Sequence, residues 1–256
     1  MPKLKVGGHQ LYYEWQGAFH PERETAVYLH DGLGATGSWK DLPVRIGAAA
    51  GLNALVFDRY GYGRSQARRT FGANFMEAEV PVLLELLDKL GLARAHLIGQ
   101  SDGASIALVF AALHPRRVIT LVAEAAHTFV ERETLGGIRA LRKAAKAGKL
   151  PAWLTRLHGK RGAALLEAWS SHWLSPVHAE WSIEKYLGYI ECPVLVVQGD
   201  RDEFGTEAQV TSIVNRVGGA ETWIADGCGH TPHNEAPEAF LERVTRFLRQ
   251  RAGGGG

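Results

Sequence analysis

The sequence lacks most of the features that would place it in a specialised class. It has only two cysteines, Cys192 and Cys228, in 256 residues. That is too few for a disulfide framework, and two reduced thiols in a cytoplasmic protein are the expectation. No apolar run approaches the ~20 residues needed to cross a bilayer; the longest resemble PVLVV at 193–197. The first fifteen positions, MPKLKVGGHQLYYEW, contain no apolar core of signal-peptide length. Charge of one sign is missing too. Twenty-nine Lys and Arg face 27 Asp and Glu, a net charge of +2, and the signs are well mixed. Neither a nucleic-acid-binding patch nor an acidic solvating arm is expected. Internal repeats and low-complexity tracts are absent apart from GGGG at 253–256, which is set aside as a disordered tail.

What remains is an ordinary globular composition, 46% hydrophobic and 22% charged, long enough for one domain with an inserted cap. LKVGGHQLYYEW reads as two short strands turning at Gly7-Gly8. Short Val-, Ile- and Leu-rich runs follow at 25–30, 53–58, 95–100, 118–124 and 193–199, with a further candidate at 220–225. They do not alternate, as expected of strands buried on both faces of a parallel sheet. Helical patterns lie between them. One, NFMEAEVPVLLELLDKLG, contains Pro81, so its helix either starts near there or kinks. The fold class predicted is α/β, a mostly parallel twisted sheet flanked by helices. Residues 129–189 break the rhythm. They are helical, rich in Arg, Lys and Trp, and contain no convincing strand; they read as a helical cap over the carboxyl ends of the strands.

The stretch GQSDG, Gly99 to Gly103, matches Gly-x-Ser-x-Gly between a predicted strand and a predicted helix. Such a sharp turn lifts a serine hydroxyl above the sheet, and only small residues two positions away let strand and helix approach. A serine hydroxyl needs a base and an orienting acid. Asp200, Asp202 and Glu203 follow a late strand, and His230 and His233 follow the last one. A metal reading of His230 and His233 has no third ligand, and no metal or cofactor is expected.

From about Leu11 to Leu248 the chain resembles the α/β-hydrolase superfamily. The resemblance implies a core of residues 1–128 and 190–252, with the cap, 129–189, inserted after the sixth strand. Gly-x-x-Asp after the seventh strand implies Asp202 as the acid. Gly-His followed by Glu-x-Pro-Glu implies His230 as the base, with His233 as a pocket-wall or surface residue. Two N–H donors are implied for an oxyanion. One is that of Asp102. The other, from YLHDGLGATGSW, is that of Leu33, since this turn resembles the family's His-Gly-x turn with one residue added. FDRYGYGRS at 57–65 is read as mostly structural. Relatives that cleave haloalkanes or epoxides carry a carboxylate where Ser101 stands, so acyl transfer to a hydroxyl is the chemistry implied.

Asp102, directly after the serine, raises a separate question. It could cap the turn or bond a nearby hydroxyl or arginine. It could instead bind a cationic substrate group, because a neutral analogue would leave the buried charge unpaired. SDG at the elbow, GYGRS, and TFVERETLGGIRALRKA are similar to the valacyclovirase (biphenyl-hydrolase-like) branch of the superfamily, which implies that Asp102 recognises the α-amino group of amino-acid esters. The resemblance places His127, in EAAHTF, beside the cleft, either as a polar substrate-binding residue or as a satisfied structural histidine. The function expected is hydrolysis of a small-molecule carboxylic ester by Ser101, Asp202 and His230, in a monomer or homodimer without nucleic-acid or membrane partners. Carbon–carbon bond hydrolysis or perhydrolysis by the same triad, and a ligand-binding receptor of the same fold, are the alternatives.

Overall fold

In a computed structural model, which describes residues 3–252, eight strands form one sheet in the order β1-β2-β4-β3-β5-β6-β7-β8. They are β1 (Lys3–Val6), β2 (His9–Gln16), β3 (Thr25–Leu29), β4 (Asn53–Phe57), β5 (Ala95–Gln100), β6 (Val118–Glu124), β7 (Val194–Gly199) and β8 (Glu221–Ala225). β1 and β2 form an antiparallel hairpin turned by Gly7 and Gly8, both at positive φ. β2 joins β4 antiparallel, and every other pairing is parallel. Each residue of β3, β4, β5 and β7 is buried, which is why their sequences run apolar without alternation.

Helices cover both faces. α1 (Leu42–Ala50) lies on one side with the C-terminal helix 237–252, where Leu42, Ile46, Phe240, Val244 and Phe247 pack on Tyr28, Val56, Ile98, Val122 and Leu195 of the sheet. α2 (Phe75–Lys89) and α3 (Asp102–Leu113) cover the other face, where Leu83, Leu87, Ala107 and Phe110 meet Val27, Leu55, Leu97 and Leu121. α2 runs through Pro81 rather than starting there. Pro81 is on the exposed side of the helix, where water can take the carbonyl that proline leaves unbonded. α3 is buried nearly all round and ends before Pro115.

Between β6 and β7 lie α4 (Arg132–Lys146), α5 (Ala152–His158), α6 (Gly162–Trp173) and α7 (Glu184–Leu187). The extended contact found there is a single antiparallel bridge, Phe129 to Ser182, tying the ends of the segment together. Trp169, Trp173 and Trp181 are buried, and Trp153 is half-buried. The chain closes with α8 (Glu207–Val214), α9 (Pro232–Glu235) and α10 (Pro237–Ala252). Cys192 and Cys228 are free and buried. Among the described residues no helix is long and apolar enough to cross a membrane. Residues 253–256, set aside from sequence, lie outside the described residues.

Candidate active site

Ser101 sits at the junction of β5 and α3 with φ at 54°, a left-handed conformation for a residue that carries a Cβ. Its neighbours explain how the turn closes. A Cβ on Gly103 would lie 2.1 Å from the Leu29 carbonyl oxygen, and one on Gly99 would lie 2.6 Å from the Ala104 Cα. Strand and helix therefore touch where the sequence supplies no side chain. The Ser101 N–H donates to the Glu124 carbonyl at 2.8 Å, fixing the elbow to β6.

The chain brings Asp202 and His230 to this hydroxyl from the ends of β7 and β8. His230 Nε2 lies 2.9 Å from Ser101 Oγ, and His230 Nδ1 lies 2.9 and 2.8 Å from the two Asp202 oxygens. The carboxylate accepts at Nδ1, so the proton is there and the Nε2 lone pair faces the hydroxyl. Asp202 is held by the Phe204 N–H at 2.8 Å and by the Gln198 amide. Asp200, one of the sequence candidates, is exposed, and Glu203 reaches only the cavity rim. His233 is buried and belongs to a second pair: its Nδ1 lies 2.9 Å from the Glu124 carboxylate. The two histidines thus serve different carboxylates.

Burial lowers the basicity of His230, but the Asp202 charge and hydrogen bond more than offset this and leave its pKa above the ordinary 6.5. For Asp202, burial acts upward and the His230 charge and hydrogen bonds outweigh it, so it stays ionised below the usual range. The base must be neutral to take the Ser101 proton. The acid limb of kcat/KM for ester hydrolysis is therefore expected to have its midpoint above 6.5, the unperturbed imidazole value. A rate profile with its limb below that value would contradict this.

In the turn expected to supply the second N–H donor, the free N–H is one residue away from the one expected. The Leu33 N–H is occupied: it donates to Asp31 Oδ2 at 3.2 Å, a side-chain turn two residues long. Among the described residues the Gly32 N–H has no acceptor, and Gly32 lines the cavity beside Ser101. The Asp102 N–H, in the first turn of α3, likewise has no acceptor, since Ala104 and Ser105 are the first to bond back to the Ser101 carbonyl. The available pair of donors is Gly32 and Asp102.

The Asp102 carboxylate is fully buried. Its partner is neither of those anticipated from sequence: Oδ2 accepts the Trp169 indole N–H from α6 at 2.9 Å, while Oδ1 has no hydrogen-bond partner. Gly32 packs against this bond, since a Cβ there would meet both Trp169 Nε1 and Asp102 Oδ2 within 2.7 Å. Burial pushes the Asp102 pKa up to about 6, against the pull of the Arg59 charge and the indole. His127 is buried on the cavity wall with its ring 5.8 Å from that of His230. Burial, and then the His230 charge, push its pKa down to about 3, so it is a neutral neighbour of His230. Its Nδ1 has no hydrogen-bond partner.

The cavity over Ser101 holds about 480 Å³. Its walls are mainly apolar: Ile138 and Leu141 from α4, Trp153 and Leu157 from α5, Trp169 and Trp173 from α6, and Phe204. The charged groups facing it are Asp31, Glu203 and Glu235 against Lys40 and Arg156, and of these all but Asp31 are exposed. Sequence reasoning did not find Asp31, Arg59, Trp169 or Glu124. Their chemistry comes from contacts far apart in the chain, and only Asp31, next to the glycine turn, carries a local signal.

Three proteins illustrate what the chain is similar to. The serine hydrolase BPHL of Homo sapiens is 28% identical, covering 96% of this chain and 86% of its own length. A 2-hydroxy-6-oxononadienedioate/2-hydroxy-6-oxononatrienedioate hydrolase of Burkholderia vietnamiensis is 28% identical, covering 89% and 88%. The crystal structure of an enol-lactonase from Burkholderia xenovorans superposes with a TM-score of 0.75 at 21% identity, covering 96% and 99%. Residues 25–185 match the model of the alpha/beta hydrolase fold family. With that match, and the sheet order and helix placement described above, the chain belongs to the alpha/beta hydrolase fold family, and hydrolase activity is supported by the family and by the names of its relatives.

Proposed function

We propose that the chain is a serine hydrolase of small carboxylic esters. The observation that carries this reading is the relay from Asp202 through His230 to Ser101, at 2.8 and 2.9 Å, on the floor of an apolar cavity. Ser101 Oγ adds to the ester carbonyl carbon as His230 Nε2 takes its proton. The new oxyanion is received by the Gly32 and Asp102 N–H groups. Collapse breaks the bond to the alkoxy oxygen, and His230 returns the proton to the departing alcohol. Water, deprotonated by the same imidazole, then releases the acid and restores Ser101. Asp202 keeps the imidazole in the required tautomer throughout, and no step draws on a cofactor.

The charges around the cavity favour neutral or cationic substrates over acids. A dicarboxylate, such as the named substrate of the Burkholderia vietnamiensis relative, would meet the half-buried Asp31, while the cations that line the cavity, Lys40 and Arg156, are out in solvent with Glu203 and Glu235. This speaks for ester hydrolysis over carbon–carbon cleavage of acidic diketones. Against the receptor alternative stands the Ser101–His230 contact at 2.9 Å; a receptor that had lost its activated serine would label slowly or not at all with a fluorophosphonate.

A narrower reading, preference for α-amino-acid esters, has one observation in its favour: Asp102 Oδ1 is buried without a partner. Its carboxylate does not line the cavity, so an ammonium reaches it only when the Trp169 indole gives way. The test is a comparison of valine benzyl ester with benzyl 3-methylbutanoate. Hydrolysis of both is expected, with the amino ester favoured at least tenfold at neutral pH. This preference should fade below pH about 6 as Asp102 protonates; titration of His230 affects both esters and cancels in the ratio. Parity at every pH removes the role of Asp102 and leaves ester hydrolysis standing. Failure to hydrolyse either ester removes the whole reading.

A further inference from the structure

Arg59 is wholly buried, an uncommon place for a guanidinium, in a loop that sequence reasoning treated as structural. Its Nη2 donates to the Asp31 carbonyl at 2.9 Å, and its backbone N–H donates to His30 Nε2 at 3.0 Å. The second bond fixes the His30 tautomer. With Nε2 accepting, Nδ1 carries the proton and donates to the same Asp31 carbonyl at 2.8 Å. The Gly34 N–H adds a third donor to that oxygen at 3.2 Å. Three hydrogen bonds, one from a permanent cation, thus converge on one carbonyl.

That carbonyl belongs to the peptide unit whose N–H is Gly32's. Electron density withdrawn at the oxygen is drawn through the conjugated C–N bond, which makes the N–H a stronger donor. The same three bonds leave the peptide plane little freedom to turn, so the N–H is aimed before substrate arrives. The guanidinium lies over the Tyr62 ring, 4.5 Å from its centroid, and the Glu79, Asp102 and Asp31 charges sustain its own charge against burial. Its charge also opposes that of Asp102, so the carboxylate next to the nucleophile does not stand uncompensated beside a developing oxyanion.

We propose that Arg59 is a positioning residue for ester hydrolysis, acting through the Asp31–Gly32 peptide to orient and polarise the oxyanion donor. The inference rests on the proposed function, in which the Gly32 N–H meets the oxyanion. It assigns Arg59 an effect on the tetrahedral state and none on the bound ester.

The test compares wild type with Arg59→Met and Arg59→Lys, counting folded active sites by fluorophosphonate titration. Three quantities are measured per site: kcat and KM for benzyl acetate, Ki for phenylboronic acid, which adds to a serine as a tetrahedral anion, and Ki for benzyl alcohol, which has no oxyanion. Arg59→Met is expected to lower kcat roughly ten- to hundredfold, less than the 10²–10³ typical of removing a donor outright. Phenylboronic acid should weaken in parallel, while KM and the benzyl alcohol Ki change less than about threefold. If Arg59→Met does not fold, Arg59→Lys, which keeps the charge but is too short and too differently shaped to place a donor where Nη2 meets the Asp31 carbonyl, should show the same parallel loss at roughly three- to tenfold. Wild-type kcat and phenylboronic acid affinity per titrated site, with only the melting temperature lowered, would overturn the inference and make Arg59 a loop anchor. A rise in KM with kcat unchanged would overturn it too. The underlying reading fails differently: wild type itself would then neither titrate with the fluorophosphonate nor hydrolyse the ester.

Discussion

Replacing Ser101 by alanine is expected to lower kcat for ester hydrolysis by roughly 10⁴- to 10⁶-fold, with KM changed by less than about tenfold. The size follows from what the hydroxyl does. Without it no acyl-enzyme forms, and His230 Nε2, now 2.9 Å from nothing it can deprotonate, can act only through water. The cavity and the two N–H donors survive, so substrate still binds and a small residual rate over solution remains. The fold should survive as well, because the Cβ and the Ser101 N–H bond to Glu124 are kept. Alanine does retain the strained φ of 54°. Ser101→Gly is therefore expected to melt above Ser101→Ala, since glycine adopts positive φ without the penalty of about 1–3 kcal/mol. Steady-state kinetics and thermal melts of the two variants check both statements. Retained turnover in Ser101→Ala would remove the nucleophile assignment.

Gly103→Ala is expected to damage stability and activity together. Its Cβ would stand 2.1 Å from the Leu29 carbonyl oxygen and 2.6 Å from that of His30. Both are backbone atoms at the end of β3, so no flexible side chain can make room. β3 and α3 must separate by about an ångström, which forfeits packing across the most buried part of the sheet. Overpacking of this kind costs about 1–3 kcal/mol, and more when the obstacle is backbone. The same displacement carries residues 30–34 away from Ser101 and so moves the Gly32 N–H off the oxyanion position. A misplacement of that order costs roughly a hundredfold in rate. A melting temperature several degrees lower and a fluorophosphonate labelling rate at least a hundredfold slower per folded molecule are expected. A variant with wild-type melting and labelling would show that the strand–helix contact is not what sets the elbow.

Much of this was readable in one dimension. The strands showed because burial on both faces removes polar residues, so β3 to β7 stand out as apolar runs. The elbow showed because its steric demands fall on residues two positions away. The acid and base could be narrowed to a few residues by chain order alone, and the choice of Asp202 and His230 needed the resemblance to a family. What stayed hidden is carried by contacts across the chain. Nothing near Asp102 signals that Trp169, sixty-seven residues on, closes over its carboxylate. Nothing in FDRYGYGRS signals that Arg59 turns inward to the carbonyl of Asp31. That the unbonded N–H of this turn is Gly32's and not Leu33's has a local cause, the Asp31 side chain, but counting residues against a family turn cannot reveal which N–H a neighbouring carboxylate has already taken. The helix through Pro81 depends on which face water reaches, which only packing decides.

The most direct test of the central claim is the mass of the protein after brief exposure to a fluorophosphonate at neutral pH, followed by peptide mapping. One equivalent of label on the peptide carrying Ser101, and none on Ser101→Ala, is the expected result. An unlabelled wild type, or equal labelling of the alanine variant at another residue, would contradict the assignment of Ser101, His230 and Asp202 as a working triad.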